Sequence, residues 1–400
     1  MRRVGAVLAM AVVLAGCTAS GPILANPGAA QPSIVPPTER PVAVADPLPV
    51  VLPRDDGPHD RLTEWWYYTG HLRGTGGDGA TRAYGFEYVI FRAERGSFPT
   101  TWASHLAITD ETGRRFLYGQ RLEVGEQVDR SGRDADGVPT GFDLSLTGLD
   151  PADESSFDRP PWTMTGAGGE DRLTASLSIA EAEVAGSPGG LGIELDLHAT
   201  KPPALQDRDG WIDFGPAGGS YYYSRTAMDA TGTVTLDGVD VRVTGRAWFD
   251  HQWGDFISVG GGGWDWFAVN LDDGTDLTLS LVRDSDGSYP LVYGTVVDPD
   301  GATRHLDSDA FTVQVTDRWI SPMTGADYPA GWIVTIPGEG PLVVELRPTV
   351  AAQELDTRRT TGVVYWEGSQ VVAATRAGKP LGGEAYVELT GYAPSGVAGR

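Results

Sequence analysis

The stretch Ala385-Tyr386-Val387-Glu388-Leu389-Thr390, near the C-terminus, decides the fold class. Side chains on a strand point alternately to opposite faces, so Ala385, Val387 and Leu389 share one side and Tyr386, Glu388 and Thr390 the other. A second run, Phe86-Glu87-Tyr88-Val89-Ile90-Phe91, alternates in the same way but is apolar on both faces. That pattern predicts a wall touching an interior on one side and a neighbouring element on the other.

Punctuation between such runs is dense. The chain has 54 glycines in 400 residues, and Asp-Gly pairs at 56-57, 136-137, 237-238, 273-274, 286-287 and 300-301 supply the positive φ that tight hairpins need. No long 3.6-residue apolar period follows residue 53. The best helical candidate is the short run Leu177 to Val184. The expectation is therefore an all-β, antiparallel chain that disposes of its sheet edges by curling into barrels.

Working outward to the N-terminus, Arg2 and Arg3 precede an apolar run from Val4 to Ala15, followed by Leu14-Ala15-Gly16-Cys17. Twelve residues are too few to span a bilayer, for which roughly 20 are needed, and the pattern reads as a lipoprotein signal over residues 1–17 with Cys17 as the lipidation site. The expected location is thus outside a bacterial cell membrane, with the lipid chains as the only membrane attachment. From Thr18 to Pro53 nine prolines, few aromatics and no periodicity predict a disordered tether. The remainder exceeds what one core usually fills, so two domains are expected, at 55–255 and 256–396, divided near Gly260–Gly263.

Composition excludes several classes. A formal charge of -24, from 30 basic and 54 acidic residues, opposes nucleic-acid binding. Cys17 is the only cysteine, so no disulfide is available. The six histidines (His59, His71, His105, His198, His251 and His305) show no metal-ligand spacing, and neither a Gly-x-Ser-x-Gly elbow nor a phosphate-cradling glycine loop is present. No metal or organic cofactor is expected.

Three aromatic clusters could carry chemistry: Thr63-Glu64-Trp65-Trp66-Tyr67-Tyr68, Trp248-Phe249-Asp250-His251-Gln252-Trp253, and Trp264-Asp265-Trp266-Phe267. They hold half of the twelve tryptophans. Such rings suit an apolar ligand and can shelter a cation, but they serve equally as core at a barrel end. Glu64 shares a strand face with Trp66 and Tyr68; buried there, it is either a general acid or a structural anchor paired with an arginine such as Arg92. Adjacent Asp250 and His251 must serve opposite surfaces unless a bulge intervenes. His251 could move a proton near neutral pH beside Trp253, or be a hydrogen-bonded histidine in a domain junction.

At these residues the chain resembles the hydroxyneurosporene synthase (carotenoid 1,2-hydratase) and AttH-like family over roughly 55 to 395. The resemblance rests on Glu64-Trp65-Trp66-Tyr67, Ser104-His105-Leu106-Ala107-Ile108-Thr109-Asp110, Asp250-His251-Gln252-Trp253-Gly254, Trp264-Asp265-Trp266, Tyr365-Trp366-Glu367-Gly368 and the segment 383–392. It implies two tandem lipocalin-like β-barrels enclosing an apolar, isoprenoid or lipid-like ligand. For the hydratases it implies a His-x-Trp pair, matched by His251 and Trp253, and a downstream aromatic and acidic pair, matched loosely by Trp264, Asp265 and Trp266. The candidate catalytic residues are then His251 and Trp253 with either Asp250 or Asp265 as the acid, and Glu64, Trp65, Trp66, Tyr68, His105, Trp248, Trp264, Trp266 and Trp366 are the candidates around the ligand. A cofactor-independent hydro-lyase is one reading; a lipid or pigment carrier using the same cavity, and a secreted hydrolase, are the others.

Overall fold

The computed structural model describes residues 48–148, 156, 159–256 and 262–393. Cys17 and most of the proline-rich stretch therefore lie outside the described residues. The end of that stretch belongs to the fold: Val50 and Leu52 pack on the first barrel's apolar residues and the Leu48 N–H donates to the Tyr221 hydroxyl. This corrects the expected start at 55, because two apolar side chains spaced two apart find an apolar barrel end to cover.

The described residues form two barrel-like antiparallel sheets, one short α-helix and a few 3-10 turns. The first contains β1 (Thr63–Thr75), β2 (Thr81–Ala93), β3 (Thr101–Asp110), β4 (Arg115–Val124), β5 (Phe142–Leu146), β6 (Trp162–Ala167), β7 (Glu170–Ser176), β8 (Leu191–Ala199), the short β9 (Ala204–Leu205) and β10 (Trp211–Asp213), and the long β11 (Gly219–Leu236) and β12 (Val239–Gly254). Its order runs β4-β3-β2-β1-β12-β11-β8-β7-β6-β5. The ends of that order are drawn together by Glu123 of β4, whose carboxylate accepts the N–H groups of Thr147 and Gly148 just beyond β5, at 2.7 and 2.9 Å. Arg121, also on β4, reaches the Pro160 carbonyl and lies over the Trp162 ring.

The second sheet contains β13 (Gly263–Leu271), β14 (Asp276–Arg283), β15 (Leu291–Val297), β16 (Thr303–Leu306), β17 (Thr312–Ile320), β18 (Asp327–Ile336), β19 (Leu342–Pro348), β20 (Glu354–Asp356), β21 (Val364–Arg376), β22 (Lys379–Leu381) and β23 (Gly383–Thr390). Its order is β16-β15-β14-β13-β23-β21-β19-β18-β17. At its start Gly263 has φ +91° and a side chain there would meet the Thr390 carbonyl oxygen at 2.4 Å, so the close turn into the second barrel requires glycine.

Most Asp-Gly pairs act as hairpin turns. Asp237 and Gly238 both have positive φ between β11 and β12, as a type I′ turn demands, and 273-274, 286-287 and 300-301 join successive strands of the second sheet. Asp56-Gly57 differs. It belongs to a 3-10 turn, Arg54–Asp56, whose Asp56 is pulled into the first barrel by the hydrogen bonds described below. The expected helix forms as α1 (Ile179–Ala185), started by a Ser178/Glu181 capping box and ended by left-handed Gly186.

Each barrel has its own core. Phe86, Tyr88 and Ile90 of β2 join the first; Ala385, Val387 and Leu389 of β23 join the second. The opposite faces of the same strands meet: Tyr67, Val89 and Trp248 pack against Trp266, Ala268 and Tyr386. The barrels thus stand wall to wall, and the doubly apolar β2 touches an interior and a neighbour as its sequence predicts.

Candidate active site

The shared wall holds four carboxyl groups, three of them buried and the fourth, Glu388, half-buried. On the first barrel Glu87 projects from β2 and Asp250 from β12, where it is the register partner of Tyr67. On the second, Glu367 of β21 and Glu388 of β23 are register partners of each other, and Glu388 is also opposite Trp266 of β13. Residues opposite on neighbouring strands share a face, so Trp266, Glu388 and Glu367 form one row looking at the first barrel.

Hydrogen bonds across the wall tie these acids to phenols. The Tyr67 hydroxyl donates to Glu367 Oε1 at 2.7 Å, and the Tyr365 hydroxyl to Glu87 Oε1 at 2.8 Å. Asp250 accepts from the Tyr222 hydroxyl at 2.6 Å, from Trp248 Nε1 at 2.8 Å and from Ser224. Trp264 Nε1 donates to Glu388 at 2.9 Å. His105 completes a chain with its Nδ1 2.7 Å from the Tyr365 hydroxyl and Nε2 3.0 Å from Thr360 Oγ1; burial holds this imidazole down at about 3, so it is neutral.

Among the described residues no lysine or arginine pairs with any of the four. Burial pushes Asp250 up to about 6 despite its three donors, and Glu388 up to about 7 despite Trp264. Glu87 and Glu367 are also raised, by burial first, and for Glu367 then by the neighbouring Glu87 and Glu388 carboxyls. Glu87 Oε2 and Glu367 Oε2 have no hydrogen-bond partner among the described residues. A structural ion pair would have lowered these values; uncompensated acids in an aromatic wall are instead what a proton donor working near neutral pH needs.

The inner face of the first barrel holds a second constellation. Glu64 Oε1 lies 2.7 Å from His59 Nδ1 and 2.9 Å from His251 Nε2, and the His59 backbone N–H donates to Oε2. Burial alone would raise Glu64, yet the two imidazoles outweigh it and hold the carboxyl at about 2. His59, whose burial opposes its charge, is nonetheless raised by Glu64 and Asp55, whereas burial dominates at His251 and lowers it. Trp253 stacks on His59 with ring centres 4.1 Å apart, and Trp66 stacks on His251 at 4.7 Å.

This geometry corrects the expected Glu64–Arg92 anchor. The two residues are opposite each other on β1 and β2, but the Arg92 guanidinium goes to Glu94 and to the Arg61 carbonyl, leaving Glu64 to the histidines. It also corrects the histidines' isolation, since His59 and His251 are far apart in sequence and close in space. His251 sits inside the barrel and not at the domain junction. The bulge that could have reversed its face lies on β11, between Arg225 and Met228, so Asp250 and His251 keep opposite faces.

The residues expected to act together therefore occupy three places. His251 and Trp253 are with Glu64, Trp66 and Tyr68 inside the first barrel, while Asp250, Trp248, Trp264, Trp266 and His105 are in the shared wall. Trp65 lies at that wall's rim against Phe91 and Phe256. Asp265 faces the second barrel's own end, held by both the Tyr392 hydroxyl and Arg283, with burial raising it to about 6. Trp366 is in the second core, its Nε1 donating to the Ala351 carbonyl. Sequence reasoning missed Glu87, Glu367, Glu388, Tyr67 and Tyr365 as site residues. A signal was present for Glu87 alone, which interrupts the apolar face of Ala83, Val89 and Phe91; Glu388 shares its face with Glu384 and Thr390 and Glu367 with Ser369, so neither stands out along its strand.

Comparison with known proteins bears on the fold and family. No curated protein is similar enough in sequence to match. A crystal structure of a Nitrosomonas europaea protein described as an AttH is 30% identical, with a TM-score of 0.67, covering 86% of this chain and 98% of that one. Kievitone hydratase from Nectria haematococca shares the fold at 16% identity and a TM-score of 0.60, covering 86% of this chain and 94% of that one. CghA, solved with Sch210972, shares it at 13% identity and 0.54, covering 84% and 90%. The AttH-like family model matches residues 43–392, nearly the whole described chain, and the protein belongs to the AttH-like family.

Proposed function

We propose that the protein is a hydro-lyase that adds water to an isolated alkene of an apolar, isoprenoid or similar substrate, using the acids of the shared wall and no organic cofactor. The observation that carries this reading is the set of three buried carboxyl groups, Glu87, Asp250 and Glu367, and the half-buried Glu388, without cationic partners among the described residues, beside Tyr67, Trp248, Trp264 and Trp266. A hydratase among the proteins with this fold agrees with it by analogy of fold alone.

The chemistry follows from the residues. A protonated carboxyl gives its proton to one alkene carbon, and the π electrons form that C–H bond. The other carbon becomes a cation, which the negative faces of the tryptophan rings stabilise. Water adds to the cation, and its extra proton goes to a carboxylate of the set, restoring the starting charge. Asp250 and Glu388, held near neutrality, are matched to both giving and taking a proton at pH 7.

Incubation of the purified chain with lycopene-type or neurosporene-type alkenes in ¹⁸O-water is expected to give a product carrying one labelled hydroxyl. Asp250→Asn and Glu367→Gln should each lower kcat by about 10²- to 10⁴-fold. Undiminished product in both variants would remove the wall from the mechanism, and tight binding without product would make the protein a carrier. We also propose export with lipid attachment at Cys17. Cys17→Ser should then move the protein from the membrane fraction to the soluble one; an unchanged distribution would refute the anchor.

A further inference from the structure

We infer that the inner constellation of the first barrel, His59, Glu64 and His251, is a binding site for one divalent transition-metal ion of the zinc type, distinct from the carboxyl groups of the shared wall. His59 Nδ1, Glu64 Oε1 and His251 Nε2 converge from a loop, from β1 and from β12, all within 4.8 Å of one another. Two imidazole nitrogens and one carboxylate oxygen form the donor set that such ions take, at about 2.0–2.2 Å from each atom, with a further position left for water. The present separations of 2.7 and 2.9 Å from Glu64 would need to lengthen to about 3.4 Å, the spacing of two ligand atoms around a tetrahedral ion.

Two further observations favour a metal over a hydrogen-bonded cluster. The other ring nitrogen of His59 faces the Asp55 carboxylate at 3.6 Å, the arrangement by which an outer carboxylate fixes a ligating histidine's tautomer. Asp55 is itself held by the Val51 N–H at 2.7 Å and by Arg54. Finally, the His59 side chain retains 19% exposure while Glu64 and His251 have none, which gives an entry path on one side only.

Alternation along β12 separates the two sites. His251 faces inward and Asp250 outward, so the metal and the proposed alkene chemistry use opposite surfaces of one strand. The inference therefore does not rest on the hydro-lyase reading, and either can fail alone.

Equilibrium dialysis of the full chain, stripped with chelator and then titrated with Zn²⁺, tests it. One ion per chain is expected with a Kd in the micromolar range or below. His59→Ala, in a loop where a strand is not disturbed, should weaken binding at least 100-fold, and Asp55→Asn about 10-fold through loss of positioning. His198→Ala, which removes a surface histidine paired with Glu170, should change nothing. Co²⁺ bound in place of zinc should show the visible absorption of a four-coordinate ion, lost in His59→Ala. A chain that takes up no zinc, or whose uptake and cobalt spectrum survive His59→Ala, overturns the site.

Discussion

Asp56→Ala is expected to destabilise the first barrel by about 3–5 kcal/mol, the cost of leaving a buried charge without its partner. Asp56 is fully buried and accepts from Arg225 at 2.8 Å, from the Gly168 N–H at 2.8 Å and from the Tyr223 hydroxyl, while its carbonyl accepts from Trp66 Nε1 at 3.0 Å. Removing the side chain strands an arginine that is 3% exposed between the rings of Tyr223 and Phe249. A nearby acid limits the loss. Burial raises Asp171 to about 7, with repulsion from Asp56 contributing, so in the variant Asp171 should ionise more readily and take over part of the pairing. The double variant Asp56→Ala/Asp171→Asn should therefore lose more than the two single losses added together. Urea unfolding followed through the first barrel's aromatic signal measures this; a loss below about 1 kcal/mol for Asp56→Ala would mean that the barrel end is not held by this network.

Glu388→Gln is expected to do two opposite things: abolish most of the proposed activity and stabilise the protein at alkaline pH. The sign follows from linkage. The carboxyl is raised from its ordinary 4.5 to about 7 in the fold, so below 4.5 both folded and unfolded chains carry the proton and the group is neutral in effect. As pH rises from 4.5 towards 7 the unfolded chain ionises first and stability falls; above 7 the loss is complete. The gap corresponds to about 3 kcal/mol. Glutamine keeps an acceptor for Trp264 Nε1 and cannot ionise. Its unpaired amide hydrogens carry a cost of about 1–3 kcal/mol, but that cost does not depend on pH. The difference in stability between variant and wild type should thus shift in the variant's favour by about 3 kcal/mol from about pH 4.5 to about pH 8, with kcat down by about 10²-fold or more. A pH-independent difference would mean that Glu388 ionises normally, and the acid set would lose its physical basis.

How far the sequence speaks can be judged at particular residues. Alternation in Phe86–Phe91 and Ala385–Thr390 was enough for all-β barrels, and the doubly apolar Phe86–Phe91 for a wall touching an interior and a neighbouring element, because side-chain direction on a strand is fixed by position alone. The same rule placed Asp250 and His251 on opposite faces. Alternation also puts Trp264 and Trp266 on one face and Asp265 on the other, which is why the expected catalytic set does not assemble. What it could not show is which face meets which. Glu87 and Glu367 are 280 positions apart and become neighbours only because one barrel leans on the other, and no local pattern encodes that contact.

His59 makes the same case on a smaller scale. Histidine spacing pointed away from metal ligation, since ligand motifs read from sequence depend on residues close along the chain. The residue sits in a loop before β1, and its approach to Glu64 depends on the 3-10 turn at Arg54–Asp56 plugging the barrel end. Composition and periodicity by themselves determined the strand class, the turns, the short helix and which side chains share a face of one strand, since these follow from local backbone geometry. Tertiary packing decided where charge is left unpaired: burial between two barrels raises the Glu388 and Asp250 carboxyls, whereas two imidazoles lower Glu64 against the effect of its burial, because proton affinity depends on the surroundings a group is folded into and not on its neighbours in the chain.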